Sequence, residues 1–119
     1  MNNKKPVYNL EERTLQFAIA VRNFTKKLPR QIENNAFIKQ LIRSSASTGA
    51  NYIEANESLG DKDKKMKIRI CKKESKESRY FCRLVETDGS SEQERERWSL
   101  VNESTELMNI FGAILKKLP

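Results

Sequence analysis

The sequence predicts an all-α protein, an antiparallel up-down-up-down four-helix bundle, and three observations lead to this prediction. Apolar residues recur at spacings of three and four through four segments, which is the period of an amphipathic helix. Short stretches rich in Pro, Gly or Ser separate the segments, and helices joined by short loops are antiparallel neighbours. The chain has 119 residues, which suits a single domain over 1–119 with its own core.

The first helix is predicted over residues 10–27. Asn9 and Glu12 have the spacing of a capping box at its start. Pro29 ends it, because proline cannot continue a helix.

The second helix is predicted over residues 35–58, beginning at Asn34 or Asn35. Its middle contains small residues, and Ser45 and Gly49 lie four apart on the expected core face. Glycine within a helix costs about 1 kcal/mol relative to alanine. We therefore expect another helix to approach closely at this point.

The third helix is predicted over residues 62–87, after a break at Leu59-Gly60-Asp61. Gly60 is expected to adopt the left-handed conformation that often ends a helix. The face expected to point into the bundle carries five apolar residues: Met66, Ile70, Phe81, Leu84 and Val85.

The fourth helix is predicted over residues 92–117, with Ser91 and Glu94 as a capping box after the turn at 88–90. Two apolar stripes run along it. One contains Trp98, Val101, Thr105, Met108, Gly112 and Leu115, and the other contains Leu100, Leu107, Phe111, Ile114 and Leu118. One stripe is enough for a bundle core. The second stripe therefore belongs either to a wide core face or to an interface with another copy of the chain, and the residues leave both open.

Six basic residues follow one another in the third helix at spacings of 4, 3, 4, 3 and 4. We call them the basic stripe: Lys65, Arg69, Lys72, Lys76, Arg79 and Arg83. Such spacings place the six side chains on one helix face, along about 27 Å. Adjacent like charges cost about 0.2–0.5 kcal/mol per pair. We therefore expect the charge of the stripe to be neutralised either by an anionic partner or by carboxylates from a neighbouring helix.

The composition of the chain indicates which kind of partner is favoured and which kinds of catalysis and metal binding are excluded. The formal net charge of +7 favours nucleic acid as the partner, ahead of a membrane surface. The chain has no histidine, which excludes Ser-His-Asp and Cys-His catalysis and His-ligated zinc. No glycine-rich phosphate loop and no membrane span are present. We expect no enzyme activity, no cofactor and no metal.

Two cysteines occur, Cys71 and Cys82, on the same predicted helix. Their separation along the helix is about 16 Å, whereas a disulfide needs Cα atoms within about 7 Å. We therefore expect reduced thiols and a cytoplasmic location.

Charged residues also occur among the predicted core positions. Arg43 and Glu54 share a flank of the second helix, and Glu77 lies within the apolar face of the third. A buried carboxylate must be paired or protonated. We expect a buried polar network that fixes helix register. A catalytic or metal-binding carboxylate cluster is the alternative, but the Glu-x-x-His pairs of di-metal bundles are absent.

At these residues a resemblance to a known family appears. Residues 40–55, QLIRSSASTGANYIEA, resemble the helix-two signature of the bacterial 23S rRNA intervening-sequence protein family, and residues 73–81, KESKESRYF, are similar to its helix-three signature. The helical layout matches over residues 8–118. Many members have Glu-Gly where this chain has Glu54-Ala55, so the second helix is expected to run further here.

The resemblance implies a homo-oligomeric four-helix bundle, specifically a pentamer, without known catalytic activity. A related branch is the accessory protein of diversity-generating retroelements, which binds nucleic acid and a reverse transcriptase through basic surface. The motif positions that carry over are Arg43, Asn51, Glu54 and Glu77, and we interpret them as architectural.

Two functions follow from these observations. The first is non-enzymatic, largely sequence-independent nucleic-acid binding through the basic stripe, with RNA ahead of DNA. Tyr80 flanks the stripe and is either a stacking platform for an unpaired base or a packed rim aromatic. The second is a protein-interaction scaffold, in which the stripe pairs with Glu92, Glu94 and Glu96 of the fourth helix or with an acidic partner protein.

Overall fold

The computed structural model describes residues 9–119 and contains four α-helices in this range: α1 (Leu10–Thr25), α2 (Ile32–Asn56), α3 (Asp61–Leu84) and α4 (Ser91–Lys117). No strand occurs among the described residues. The predicted all-α bundle is therefore confirmed. Residues 1–8 of the predicted domain lie outside the described part of the chain.

The helices do not pack on one another equally. α3 packs extensively on both α2 and α4, α1 packs on α2, and the contact between α1 and α4 is the sparsest. Ion pairs supplement this last contact. Arg13 of α1 binds Glu103 and Glu106 of α4, each at 2.7 Å, and Lys27 just beyond α1 binds Glu96 at 2.7 Å.

The core is built from large apolar side chains on α1 and α4 and from smaller ones on α2 and α3. The largest buried side chains include Phe24 of α1, Leu41 of α2, Ile68 of α3, and Leu107 and Phe111 of α4. Between α2 and α3 the buried contacts include hydroxyls, such as the 2.9 Å hydrogen bond between Ser44 Oγ and Ser78 Oγ. Small side chains at this interface let the two helices approach closely.

α1 approaches α2 closely at Gly49. A Cβ atom added to Gly49 would lie 2.9 Å from Thr14 Oγ1 and 3.2 Å from Thr14 Cβ. The close approach expected at Gly49 is therefore present, and it involves α1.

The predicted inward face of α3 is wrong. Met66 is 53% exposed and Leu84 is 37% exposed, Ile70 and Phe81 are half-buried, and of the five only Val85, just past the helix end, is buried. The residues that face the core are Ile68, Cys71, Ser75, Ser78 and Cys82. The prediction followed hydrophobicity alone, but a helix can accommodate buried serines by bonding their hydroxyls to its own carbonyls. Ser75 Oγ, for example, donates to Cys71 O at 2.9 Å.

The start of α2 also differs from the prediction, because the helix begins at Ile32 and Asn34 lies inside its first turn. Asn34 is buried and ties two loops together. Its Nδ2 donates to Pro29 O at 2.9 Å and to Glu86 O at 3.0 Å, and its Oδ1 accepts from Glu86 N at 2.7 Å. The side chain that looked like a helix cap instead joins the α1–α2 loop to the α3–α4 loop.

The other helix ends show which capping predictions were correct. Asn9 Oδ1 accepts from Glu12 N at 3.1 Å, as predicted. Gly60 is extended, with φ −159°, so the left-handed conformation predicted for it is wrong, and the left-handed glycine is Gly89, with φ +83°. The N-cap of α4 is Ser90, one residue before the predicted one, and α3 ends at Leu84, three residues before its predicted end.

The two apolar stripes of α4 are largely used within the bundle. Leu100, Leu107 and Phe111 of one stripe and Val101 of the other are buried. The rest are half-buried except Trp98, which is 50% exposed. The wide core face thus accounts for most of the apolar surface of α4.

Candidate nucleic-acid interface

The basic stripe lies on a continuous helix, since α3 runs without interruption from Asp61 to Leu84. Four of its side chains are exposed, and two are half-buried, Lys65 and Arg79. Among residues 9–119, none of the six forms an ion pair with a carboxylate. The described part of the chain thus presents an unneutralised line of six positive charges.

Of the three α4 carboxylates that the scaffold hypothesis assigns to the stripe, two pair elsewhere. Glu94 binds Arg97 at 3.1 Å and Glu96 binds Lys27 at 2.7 Å, while Glu92 forms no ion pair within the described range. The pairing of the stripe with Glu94 and Glu96 on α4, one form of the scaffold hypothesis, is therefore wrong. An acidic partner protein is the form that remains.

One member of the stripe lies across α4. A Cβ atom added to Gly112 would lie 3.7 Å from both Cε and Nζ of Lys72. Such a distance is an ordinary van der Waals contact, so the end of Lys72 lies close to α4 at Gly112. At Lys72 the stripe therefore borders α4.

On the α2 side of α3, Arg43 binds two carboxylates. Its Nη2 donates to Glu77 Oε1 at 2.7 Å. Its Nη1 donates to Glu74 Oε2 at 3.4 Å and lies 3.3 Å from Glu74 Oε1. Glu74 is only 6% exposed, and its Oε1 makes no hydrogen bond in the described structure. Hydrogen bonding to Glu74 is the main cause that raises the pKa of Arg43, ahead of Glu77, because the buried carboxylate is less screened by water.

The four residues predicted to be architectural, namely the polar network of Arg43, Glu54 and Glu77 and the motif position Asn51, do not form one cluster. Arg43 and Glu77 are in contact, but Glu54 binds Lys67 at 2.7 Å, and Asn51 donates to Ser47 O of its own helix at 2.9 Å. Two further partners of Arg43 were not predicted from the sequence: Glu74, and Gln40, whose Oε1 accepts from Arg43 Nε at 3.0 Å. Each stands three residues before a predicted member, and that helical spacing was the available signal.

A surface groove of about 420 Å³ lies between α2 and the solvent-facing side of α3. We call it the Tyr80 groove, and it is lined by Gln40, Lys73, Lys76, Glu77, Tyr80 and Phe81. Tyr80 is 60% exposed, and its ring meets that of Phe81 at a centroid distance of 5.3 Å and an angle of 82°. Because Lys76 belongs to both, the groove adjoins the basic stripe.

The second exposed aromatic, Trp98 on α4, has different surroundings. Its surface depression is lined by three carboxylates, those of Glu94, Glu103 and Glu106, and by one cation, that of Arg95. Arg13 and Arg97 pair with these carboxylates, so the surface around Trp98 offers no excess of positive charge. Of the two aromatics exposed among residues 9–119, Tyr80 is therefore the one in a cationic setting.

Within the described range, no group of three or more Cys, Asp or Glu side chains is placed to hold a metal ion. No helix in that range has the length and apolar character to cross a membrane.

The thiols of Cys71 and Cys82 are free and buried, and burial raises the pKa of each to about 12.

Comparison with known proteins assigns the chain to a family. The model of the 23S rRNA-intervening sequence protein family matches residues 8–113. The chain belongs to this family. A solved structure from Bacteroides thetaiotaomicron, described as a protein of unknown function from the S23 ribosomal protein family, is 30% identical with a TM-score of 0.76. The match covers 90% of this chain and 98% of that one. A search of curated proteins gave no match.

Proposed function

We propose that this member of the 23S rRNA-intervening sequence protein family is a non-enzymatic, largely sequence-independent nucleic-acid-binding protein, with RNA ahead of DNA as its ligand. The observation that carries the proposal is the basic stripe, in which six cations line one helix face and none is paired within residues 9–119. Such a line matches the regular negative charge of a phosphate backbone.

The energetics follow from the release of counterions. If each stripe cation meets one phosphate, the logarithm of affinity should fall with the logarithm of salt with a slope of about −4 for a single strand and about −5 for a duplex. Lysine and arginine contacts to phosphates fix the position of a nucleic acid but read no sequence. The ligand is therefore recognised by charge rather than by a base sequence.

The proposal includes a homo-oligomer, a pentamer by the family resemblance. The large apolar side chains left exposed on α1 and α2 include Leu15, Ile42 and Ile53. Leu15 and Ile42 line a groove of about 250 Å³ between α1 and α2. A contact between copies at this groove would cover them and leave the basic stripe on α3 free. Several stripes in one assembly would raise avidity without new contacts.

Light scattering tests the assembly. We expect a mass of five protomers, which Ile42→Asp reduces, because the charge would enter the proposed contact. Ile32→Asp is the matched control, since Ile32 is 87% exposed and does not line the groove. A protomer mass for the unaltered chain at micromolar concentration would contradict the oligomer. An unchanged mass for Ile42→Asp would contradict this location of the contact.

Fluorescence anisotropy with labelled RNA and DNA, at salt concentrations from about 50 to 200 mM, tests the binding itself. The triple variant Lys72→Glu, Lys76→Glu and Arg79→Glu should lose most affinity. The matched control is Lys26→Glu, Lys39→Glu and Arg95→Glu, which makes the same change in net charge at exposed cations outside both the stripe and the α1–α2 groove. Equal losses in the two triples would show that only net charge matters.

A polyglutamate competitor separates nucleic acid from the alternative partner, an acidic protein surface. Because the spacing of phosphates differs from that of glutamates on a chain, we expect polyglutamate to displace RNA only at large excess. Displacement at equal charge concentration, or no RNA binding at about 50 mM salt, would contradict the proposed function and favour a protein scaffold.

A further inference from the structure

The Tyr80 groove has a volume suited to a small planar group. Its volume of about 420 Å³ falls in the range of roughly 300–1,000 Å³ that is usual for small-molecule sites. Two aromatic side chains and the stems of Lys73 and Lys76 form its sides. The groove thus combines apolar walls with positive charge at its edge.

The ring of Tyr80 is available for stacking. It is 60% exposed, and its contact with Phe81 is edge-on, with an angle of 82° between the rings. In such a contact the edge of one ring meets the other ring, so at least one face of Tyr80 stays open. Phe81 is half-buried and supports Tyr80 from the side. An exposed, supported aromatic beside cations is the arrangement on which unpaired bases stack.

Two polar groups at the groove wall have unused hydrogen-bonding capacity. Gln40 Oε1 and Glu77 Oε1 both accept from Arg43, at 3.0 and 2.7 Å. Neither Gln40 Nε2 nor Glu77 Oε2 has a partner among residues 9–119. The wall of the groove therefore includes an amide NH2 and a carboxylate oxygen that are without a partner among these residues, on two side chains that Arg43 holds. The Watson–Crick edge of every base offers both acceptors and donors to such a pair.

We infer that the Tyr80 groove binds one unpaired nucleobase of the strand whose phosphates lie along the basic stripe. This inference rests on the proposed function and specifies its ligand as single-stranded nucleic acid. A paired base is stacked inside a duplex and cannot enter the groove, whereas a base of a single strand can turn outwards. Lys76, which belongs to both stripe and groove, places a phosphate contact next to the stacked base.

Anisotropy with a single strand of about 12 nucleotides tests the inference, because even at the duplex rise of about 3.4 Å per nucleotide, about eight nucleotides cover the stripe of about 27 Å. We expect Tyr80→Ala to weaken binding of the single strand by about 5- to 150-fold and to leave binding of the matching duplex unchanged. Tyr80→Phe should bind like the unaltered protein, because it keeps the ring. The salt slope of Tyr80→Ala should not change, because no phosphate contact is lost.

Trp98→Ala is the matched control, because Trp98 is also half exposed but lies among carboxylates. We expect it to bind the single strand as the unaltered chain does. If Tyr80→Ala leaves single-strand affinity unchanged while the stripe triple abolishes it, the base site is refuted and the proposed function stands. If neither variant affects binding, the proposed function fails as well. Equal loss on single strand and duplex would mean a general effect on the surface and would also refute the base site.

Photo-crosslinking supplies a second readout that does not depend on affinity. A single strand carrying 5-iodouracil should form its protein adduct at Tyr80, because the reaction requires a base in contact with an aromatic ring. Peptide mass mapping locates the adduct. An adduct at Trp98 in place of Tyr80 would overturn the inference, and so would the same yield of adduct with the Tyr80→Ala variant.

Discussion

Replacing Lys76 by glutamate should stabilise the protein and at the same time weaken its binding to nucleic acid. Lys76 is exposed in the middle of α3 and forms no ion pair within the described range. Three cations lie three or four positions away: Lys72, Lys73 and Arg79. Residues at these spacings are neighbours on the helix surface. Lys76 therefore experiences repulsion from three sides in the folded protein.

The magnitude follows from those three neighbours. Each like-charge pair at this spacing costs about 0.2–0.5 kcal/mol, and each opposite pair gains a similar amount. Reversing the charge at residue 76 turns three like-charge pairs into three opposite-charge pairs. The free energy of unfolding should therefore rise by about 1–3 kcal/mol at low salt. Solvent exposure puts the expected value at the lower end, near 1 kcal/mol. Lysine and glutamate have similar helix propensities, and the site is far from both helix ends, so no other contribution competes.

Urea unfolding followed by circular dichroism at one protein concentration measures this change. We expect a higher midpoint for Lys76→Glu at about 50 mM salt, a gain about half as large for Lys76→Gln, and both gains reduced at about 500 mM salt. Anisotropy of the same samples should show weaker RNA binding. A midpoint equal to or below that of the unaltered chain at low salt would refute the reasoning. A gain that persists at high salt would refute the electrostatic cause.

Three further predictions concern stability. Asn34→Ala should lower the free energy of unfolding by about 2–4 kcal/mol, because it removes three hydrogen bonds from a buried site; a urea-denaturation loss below about 1 kcal/mol would count against this role. Gly49→Ala should lower it by up to about 2 kcal/mol, since crowding Thr14 costs about 1–3 kcal/mol against about 1 kcal/mol gained in helix propensity. The loss should shrink in a Thr14→Ala background, and strictly additive losses would be contrary evidence. Burial raises the pKa of Cys71 and Cys82 from 9.0 to about 12, so a thiol reagent near neutral pH should react only after unfolding, and native-state reaction would contradict this. Because unfolded thiols release their protons first, the stability contributed by these groups should decline as the pH rises from about 9 towards about 12.

The number and order of the helices were predictable because each helix repeats its apolar positions over several turns, and Pro29 and the turn at Gly89 separate the repeats. The position of the basic stripe was predictable for the same reason, since spacing alone decides which residues share a helix face. Both predictions depend only on interactions within one helix.

The face that α3 turns to the core was not predictable in the same way. Hydrophobicity places Met66 and Leu84 inside, but the structure buries Ser75 and Ser78 in their stead. The deciding factor is how closely α2 and α3 approach, which favours small side chains such as Ser44 opposite Ser78, 2.9 Å apart. The distance between α2 and α3 is set by the side chains of both helices, so the pattern of α3 alone does not predict it.

The partners of Arg43 at the candidate site were also only partly predictable from the sequence. Its contact with Glu77 joins two motif positions, but the additional contacts with Glu74 and Gln40 depend on the relative offset of α2 and α3. Glu54 was expected in the same cluster and instead binds Lys67, nearer the start of α3. Residue types indicated that charges would pair, but only the packing of the helices decided which ones.

The way the ion pairs are distributed explains how the basic stripe remains uncompensated in a protein that also has many carboxylates. The carboxylates that pair between helices bind cations outside the stripe. The carboxylates of α4 bind Arg13 and Lys27 on the α1 side, and the carboxylates of α2 and α3 bind Lys67 and Arg43. Arg97 of α4 takes Glu94 and also donates to the carbonyls at the end of α3. The stripe lies on the helix with the most extensive packing, against both α2 and α4. That packing can offset the repulsion of about 1–2.5 kcal/mol among the stripe cations. The same repulsion on α1, which packs less extensively, would be offset less well. A fold that places its strongest like-charge repulsion on its best-supported helix, and directs its acids elsewhere, keeps a cationic surface available to an external polyanion.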